Sequence, residues 1–389
     1  MNKKWILYVG GFEMPDGNAA AQRVIGNAKA FRNLGYETFF IGLSRDKDSC
    51  NKITSYENFK YINFQYPESL KDWLSYLTSI EIYRPYLGQK PDFIIAYNFP
   101  SIALSKLQKW CKKNSISIYA DCTEWYEPKG NILFRLIKGF DTWYRMEKVH
   151  LKMDGLIAIS DYLYNYYSPM KENVVNIPPL VDLSMCKWEL DDKQDLVEDN
   201  IVNIIYAGSP GGGNKDRLDL ILEALSMVID EKVFNFRFNV IGITREQYLN
   251  IFENPIPENL KNNIIFKGRL SHLNTLKEIK NSHFYLFIRE NNLTNRAGFP
   301  TKFSESISCG TPVITNSTSN INEYIINGAN GFIIENLVLN QLKEVLKNAI
   351  LLPKTQIKQM KNYCYQSHQF DYRKFLLKFK DLIFKAEKI

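Results

Sequence analysis

The sequence predicts an α/β protein made of two doubly wound units in tandem, and three observations carry that expectation. Short apolar runs of strand length alternate with longer amphipathic stretches through both halves of the chain, the pattern of a parallel sheet covered by helices on both faces. The alternation stops at Pro178-Pro179 and through the polar, acid-rich stretch 185–200, then restarts at Ile201. A chain of 389 residues is long enough to bury two ordinary cores. The expected division is therefore a first domain over 1–183, a linker over 184–200, a second domain over 201–366 and a closing segment over 367–389.

In order, Trp5 to Val9 reads as a strand, Asn18 to Leu34 as a helix, and Glu37 to Gly42 and Phe59 to Phe64 as strands. A helix near Glu68 to Arg84 leads to the strand Phe93 to Tyr97, the helix Ser101 to Lys113 and the strand Ile116 to Ala120. A long helical stretch follows, then the strand Gly155 to Ser160, the helix Asp161 to Tyr167 and the strand Asn173 to Ile177. The second half opens with the strand Ile201 to Ala207, a glycine-rich loop and a helix starting near Lys215 and running to Ile229. Phe236 to Gly242, Asn263 to Lys267 and Phe284 to Ile288 are further strands. Thr301 to Ser308 reads as a short helix, since Pro300 is tolerated at its first turn and Gly310 stops it, and Thr311 to Thr315 as a buried strand. The last helix, Tyr372 to Lys385, carries Phe375, Leu376, Phe379, Leu382 and Ile383 at helical spacing.

Composition narrows the function classes. Hydrophobic residues at 45% and charged residues at 23% describe a globular chain. The net charge is +7, but Lys and Arg are scattered without a run, so no nucleic-acid partner is expected; anionic phosphates or an anionic membrane face suit this balance better. Six cysteines without CxxC spacing read as free thiols in a reducing cytoplasm. The four histidines share no i, i+4 spacing, which argues against zinc. Asp46-Lys47-Asp48 matches a metal-binding D-x-D tripeptide but lies in a charged loop, so no metal is expected. Lys3-Lys4 and the apolar run after them imitate a signal peptide, yet the run is too short, and no stretch approaches membrane-spanning length. Leu133, Phe134, Leu136, Ile137 and Phe140, interleaved with Arg135 and Lys138, suit either a lipid surface or an ordinary helix with snorkelling cations; the ordinary helix is preferred.

The candidate site centres on 296–316. Gly298-Phe299-Pro300-Thr301 is a tight turn into a helix, which aims unpaired N–H groups and the positive dipole end at whatever lies in front, as a phosphate cradle does. Lys302 and Glu305 are three apart and share one face, the first suited to a diphosphate and the second to sugar hydroxyls. A second glycine-rich loop, Tyr206 to Arg217, lets backbone approach a phosphate, with Lys215 at the helix start; the Walker pattern is absent. Gly10-Gly11 ends the first strand, where ligands bind in open sheets, although a plain turn is the alternative and the dinucleotide fingerprint is missing. Asp121 and Glu124 follow a strand and face the same end, with helix capping as the alternative.

Four ordered blocks carry a resemblance. Pro300-Thr301-Lys302-Phe303-Ser304-Glu305, Cys309 to Ile314, Asn322-Glu323-Tyr324 and Gly328-Ala329-Asn330-Gly331-Phe332 resemble the donor-binding signature of family 4 glycosyltransferases. The resemblance implies the GT-B fold: two Rossmann-like domains facing an interdomain cleft, a nucleotide sugar bound mainly by the second, and a terminal helix crossing back to the first. It gives Glu305 the ribose hydroxyls and Lys215 the diphosphate. Ser209 stands where the family has an arginine, whose task passes to Arg289, ahead of Arg217 and Arg269. Ala297 replaces the family's other glutamate. The Gly10-Gly11 loop is similar to the family's N-terminal loop. The Asp121–Glu124 loop lacks the histidine many members carry there, which leaves those two acids to position sugar or acceptor. Glu323 is a donor contact or a helix-start charge.

The implied reaction is transfer of a sugar from a nucleotide-sugar donor to a glycan or lipid-linked acceptor with retention. It would need no metal or other cofactor, and would belong to bacterial surface polysaccharide or glycolipid assembly, in the cytoplasm or at the inner membrane face. A sugar-nucleotide epimerase and a non-catalytic sugar-nucleotide-binding protein on the same architecture are the rivals.

Overall fold

Phe93-Ile94-Ile95-Ala96-Tyr97 is buried along its whole length, which is what a central strand of a parallel sheet with both faces covered requires. In the computed structural model it occupies that place. The structure describes residues 4–87, 90–128, 130–189, 201–211, 215–233, 235–252 and 254–386. Of the expected linker, 190–200 lie outside the described residues, as do 212–214 of the second glycine-rich loop.

The chain divides into two units, one comprising Met1–Leu180, Arg296–Phe299 and Tyr372–Ile389, the other Val181–Asn295 and Pro300–Asp371. The first runs β1 (Lys4–Gly10), α1 (Ala19–Asn33), β2 (Tyr36–Ser44), β3 (Thr54–Tyr56), β4 (Phe59–Gln65), α2 (Leu70–Thr78), β5 (Phe93–Tyr97), α3 (Ser101–Lys113), β6 (Ser117–Cys122), α4 (Ile132–Tyr144), β7 (Gly155–Ala158), α5 (Asp161–Tyr167) and β8 (Val174–Asn176). The second runs β9 (Val202–Ala207), α6 (Leu218–Asp230), β10 (Phe236–Ile241), α7 (Arg245–Ile251), β11 (Ile264–Gly268), α8 (His272–Lys280), β12 (Phe284–Leu286), α9 (Leu293–Ala297), which passes into the first unit, then α10 (Thr301–Ser308), β13 (Val313–Asn316), β14 (Gly331–Ile334), α11 (Leu339–Ile350) and α12 (Lys354–Ser367). A final helix, α13 (Leu376–Ala386), belongs to the first unit.

The sheet of the first unit has the order β3-β4-β2-β1-β5-β6-β7-β8 and that of the second β11-β10-β9-β12-β13-β14. All pairings are parallel except β3 on β4. Each sheet reverses its winding beside its first strand, between β1 and β5 and between β9 and β12, so each unit opens a crevice at the carboxyl ends of those strands. The expected α/β class with two doubly wound units is what the chain adopts.

Packing explains where the last helix goes. Phe379 is fully buried with its ring 4.9 Å from Phe31 of α1, and Asn173 Nδ2 donates to the Leu382 carbonyl at 3.0 Å. The apolar stripe of α13 is therefore core of the first unit.

Three local expectations change. The helix placed near Glu68 to Arg84 is shorter, because Ser79 takes an extended backbone and ends α2. The hairpin strand β3 is an unexpected addition; it turns through Glu57 and Asn58, both at positive φ, and its polar Thr54-Ser55-Tyr56 gives no apolar alternation to read. The preference for an ordinary packed helix at 133–140 is also revised. On α4, Leu136 is 67% and Phe140 53% exposed, with Ile132, Leu133 and Trp143 beside them, so this apolar face has no cover in its own unit.

Candidate functional site

At the crevice of the second unit the site is built from β9, β12, the loop before α6 and the first turn of α10. The loop Gly208 to Arg217 does not continue as helix from Lys215. Asp216 instead bridges to Arg289 in an antiparallel β-bridge, and the Arg217 N–H donates to the Ile288 carbonyl at 2.8 Å, so α6 starts only at Leu218. This detour carries the Asp216 side chain into the interior.

Asp216 is fully buried and gathers three partners. Arg289 Nε donates to one carboxylate oxygen at 2.9 Å, while the Tyr206 hydroxyl donates to the other at 2.7 Å and Lys302 Nζ donates to that same oxygen. Two cations around one carboxylate leave a net positive centre. Burial pushes the Lys302 ammonium down to about 8, although Asp216 works in the opposite direction and holds its proton. Burial favours a neutral Asp216, but Lys302 and Arg289 outweigh it and hold the carboxyl well below the usual range. Lys302 Nζ also lies 4.5 Å from the centroid of the Tyr206 ring. Gly208 takes φ +148°, a conformation that L side chains rarely adopt, and a Cβ there would sit 2.8 Å from Lys302 Nζ.

Lys302 and Glu305 do not pair with each other. Glu305 turns the other way and takes a 3.0 Å contact from His272 Nε2 at the start of α8. Helix α10 is anchored by Phe303 and Ile307, both fully buried, and Pro300 at its N-cap supplies no side-chain bond to its first turn. The backbone N–H groups there are thus uncapped by a side chain, as an anion-binding turn needs. Pro300 and Thr301 cluster with the second unit and Gly298 and Phe299 with the first.

The remaining candidates of this unit separate. Lys215 and Ser209 are exposed on the loop, with the Gly211 N–H reaching Ser209 Oγ at 3.5 Å. Arg289 is buried, whereas Arg217 is spent on Asp219 at 2.6 Å and Glu290 at 3.0 Å, and Arg269 is exposed. Glu323 ends a short 3-10 turn over Ile321–Glu323, exposed, with Asn320 donating to it at 3.3 Å.

In the first unit the candidates part company. Asp121 is buried in a closed network: Arg23 donates to it through Nε at 3.0 Å and Nη2 at 2.7 Å, Tyr8 through its hydroxyl at 2.5 Å, and Asn27 at 3.3 Å. Arg23 also reaches the Ile177 carbonyl at 2.9 Å. The acid ties β1, α1, β6 and the β8 end together, and this corrects its assignment to sugar or acceptor, because its oxygens are fully engaged inside the fold. Glu124, three residues on, instead lines a cavity of about 230 Å³ at the carboxyl ends of β1 and β5, with Gly11, Tyr97, Tyr126, Lys138 and Arg145. Gly11 has open space where a side chain would be, while a Cβ on Gly10 would strike the Tyr97 carbonyl. Ala297, in place of the family glutamate, is fully buried and its carbonyl accepts from Ser160 Oγ at 2.6 Å.

Asp46-Lys47-Asp48 forms an exposed turn in which Asp46 caps the Asp48 N–H at 3.1 Å. Among the described residues no group of three His, Cys, Asp or Glu side chains is placed to hold a metal ion.

Sequence reasoning missed Asp216, Tyr206 and His272 as partners. Asp216 and Tyr206 stood at either end of the quoted loop without a sign that they would meet Lys302; His272 gave no signal, because it is brought in from the start of α8.

Residues 202–350 match the family described as "Glycosyl transferases group 1". No curated protein matches the chain in sequence. Among solved structures the chain is similar to sucrose-phosphate synthase from Thermosynechococcus elongatus, at 12% identity and TM-score 0.71, covering 99% of each chain. It is also similar to Anabaena HepE in complex with UDP and glucose, at 14% identity and TM-score 0.67, covering 98% of this chain and 99% of that one. A third is WaaG, a glycosyltransferase involved in lipopolysaccharide biosynthesis, at 13% identity and TM-score 0.65, covering 97% and 99%. These likenesses are of fold.

Proposed function

We propose that this chain, a GT-B glycosyltransferase and a group 1 member by its residues 202–350, transfers a sugar from a nucleoside diphosphate sugar to a glycan or lipid-linked acceptor with retention. The observation that carries the reading is the Lys302–Asp216–Arg289 centre beside the uncapped first turn of α10. Departure of a nucleoside diphosphate builds negative charge, and fixed cations with aligned N–H donors stabilise it without reorganising. Lys302 and Arg289, already held by Asp216, supply the cations; Lys215 adds an exposed one at the loop.

Glu305, at the other side of the same helix turn, is assigned the ribose hydroxyls, with His272 fixing its carboxylate. Retention, independence of metal and the passage of the acceptor proton to the leaving diphosphate follow from the family 4 resemblance of the Pro300 to Phe332 signature. The HepE structure, described as a complex with UDP and glucose, supports a uridine nucleotide sugar as the first donor to try. The acceptor side is assigned to the first unit, where Glu124 lines a cavity. The exposed apolar face of α4 supports peripheral contact with a membrane carrying a lipid-linked acceptor, in bacterial surface glycan assembly. No helix among the described residues is long and apolar enough to cross a membrane.

The test is incubation with a panel of labelled nucleotide sugars and a lipid-linked acceptor, with analysis of both products. Transfer with release of nucleoside diphosphate is expected. A converted sugar still linked to its nucleotide would establish the epimerase instead, and binding without any product would establish a sugar-nucleotide-binding protein.

A further inference from the structure

Arg145 opens a π-helical turn, Arg145–Val149, directly after α4, and it is buried with only 2% of its surface exposed. Its Nε and Nη2 have no hydrogen-bond partner. These two nitrogens form one edge of the guanidinium, the edge that meets an oxyanion with two parallel bonds. A buried cation left with an empty donor edge is costly, so a fold that keeps one is arranged for a partner outside the chain. Lys138, about two helical turns earlier, lines the same cavity, and both cations lie over the Tyr126 ring, Lys138 Nζ at 4.1 Å and Arg145 Cζ at 5.4 Å from its centroid. Neither makes an ion pair among the described residues.

Two acids share the cavity, Asp141 and Glu124. Asp141 is occupied, since its Oδ1 accepts the first N–H of α3, from Ser101, at 2.7 Å. Glu124 lines the cavity beside Tyr126, with which it shares a hydrogen bond. Burial, with Arg145 adding to it, holds the Lys138 ammonium below its ordinary range although Asp141 and Glu124 work in the opposite direction, and a bound anion would relieve the remaining cost.

We infer that this cavity of the first unit is an oxyanion site in which the Nε and Nη2 edge of Arg145, with Lys138, holds a phosphate or carboxylate of the acceptor, leaving Glu124 to face its neutral part. The word acceptor rests on the function proposed above; the oxyanion site does not.

The experiment is calorimetric titration of the full chain, preloaded with UDP so that the second unit is filled, with methyl phosphate and separately with acetate. Lys138→Gln and Arg145→Gln are titrated alongside, their folding checked by circular dichroism; should Arg145→Gln not fold, Lys138→Gln carries the comparison. The expected result is binding of at least one probe by the wild type, weakened about tenfold or more in the variants, with UDP affinity unchanged. Methyl phosphate preferred over acetate names a phosphorylated acceptor, and the reverse preference names a carboxylated one. No binding of either probe at about 50 mM, or equal binding by wild type and variants, overturns the site. If UDP fails to bind while the variants still lose the probe, the donor reading falls and the oxyanion site stands.

Discussion

Replacing Asp216 with Asn removes the one negative charge from a buried group of two cations. Its carboxylate, fully buried, accepts from Arg289 at 2.9 Å and from Lys302, whose side chains keep only 6% and 12% of their surface exposed. Breaking a buried pair by removing one partner costs about 3–5 kcal/mol, because the surviving charge stays buried. For a unit of this size each kcal/mol lowers Tm by about 2–4 °C, so a fall of about 6–20 °C is expected. The variant has one escape: Lys302 can shed its proton.

That escape fixes the pH dependence. In the native protein Lys302 sits at about 8 against an ordinary 10.5, so below pH 8 both states hold the proton and the native state bears the full cost of burying it. Between those values the unfolded chain binds more protons, and stability rises with pH. Without Asp216 the Lys302 value drops further and the rise begins at lower pH, so the deficit of Asp216→Asn should shrink between about pH 6.5 and pH 9.5. UDP should stabilise the variant more than the wild type, since a diphosphate supplies the missing negative charge. The assay is thermal unfolding by circular dichroism at both pH values, with and without UDP. A Tm within about 2 °C of the wild type at the lower pH would refute the buried charge centre, and an equal UDP effect in both proteins would place the diphosphate elsewhere.

Three further outcomes are expected. The affinity for UDP should fall as pH rises through about 8, where Lys302 loses its proton, by up to about tenfold per pH unit; equal affinities at about pH 7 and pH 9.5 in titration calorimetry would remove Lys302 from the diphosphate. Excess EDTA should leave turnover unchanged, since the Asp46-Lys47-Asp48 turn is exposed and Asp46 is spent on its own backbone; turnover lost and restored by manganese would reverse the assignment. Leu136→Glu with Phe140→Glu should abolish sedimentation with anionic vesicles while leaving Tm unchanged, because both side chains are more than half exposed; unchanged sedimentation would clear α4 of a membrane role.

The sequence alone determined the architecture, because its information is local and periodic. Fully apolar strands such as Phe93 to Tyr97 announce a sheet buried on both faces, and the stripe of Phe375, Phe379 and Leu382 announces a packed helix. It also determined that α10 runs from Thr301 to Ser308 behind a proline, with Lys302 and Glu305 on one turn. What those side chains touch is not local. Only the tertiary structure turned Lys302 to Asp216 and Glu305 to His272, because the partners come from 86 and 33 residues away. Asp121 and Glu124 are the plainest case. Three positions apart after one strand, they read alike in sequence, yet one is sealed in a network with Arg23, Tyr8 and Asn27 and the other opens on a cavity. Burial depends on what packs from α1 and β1, and no run of residues around 121 encodes that.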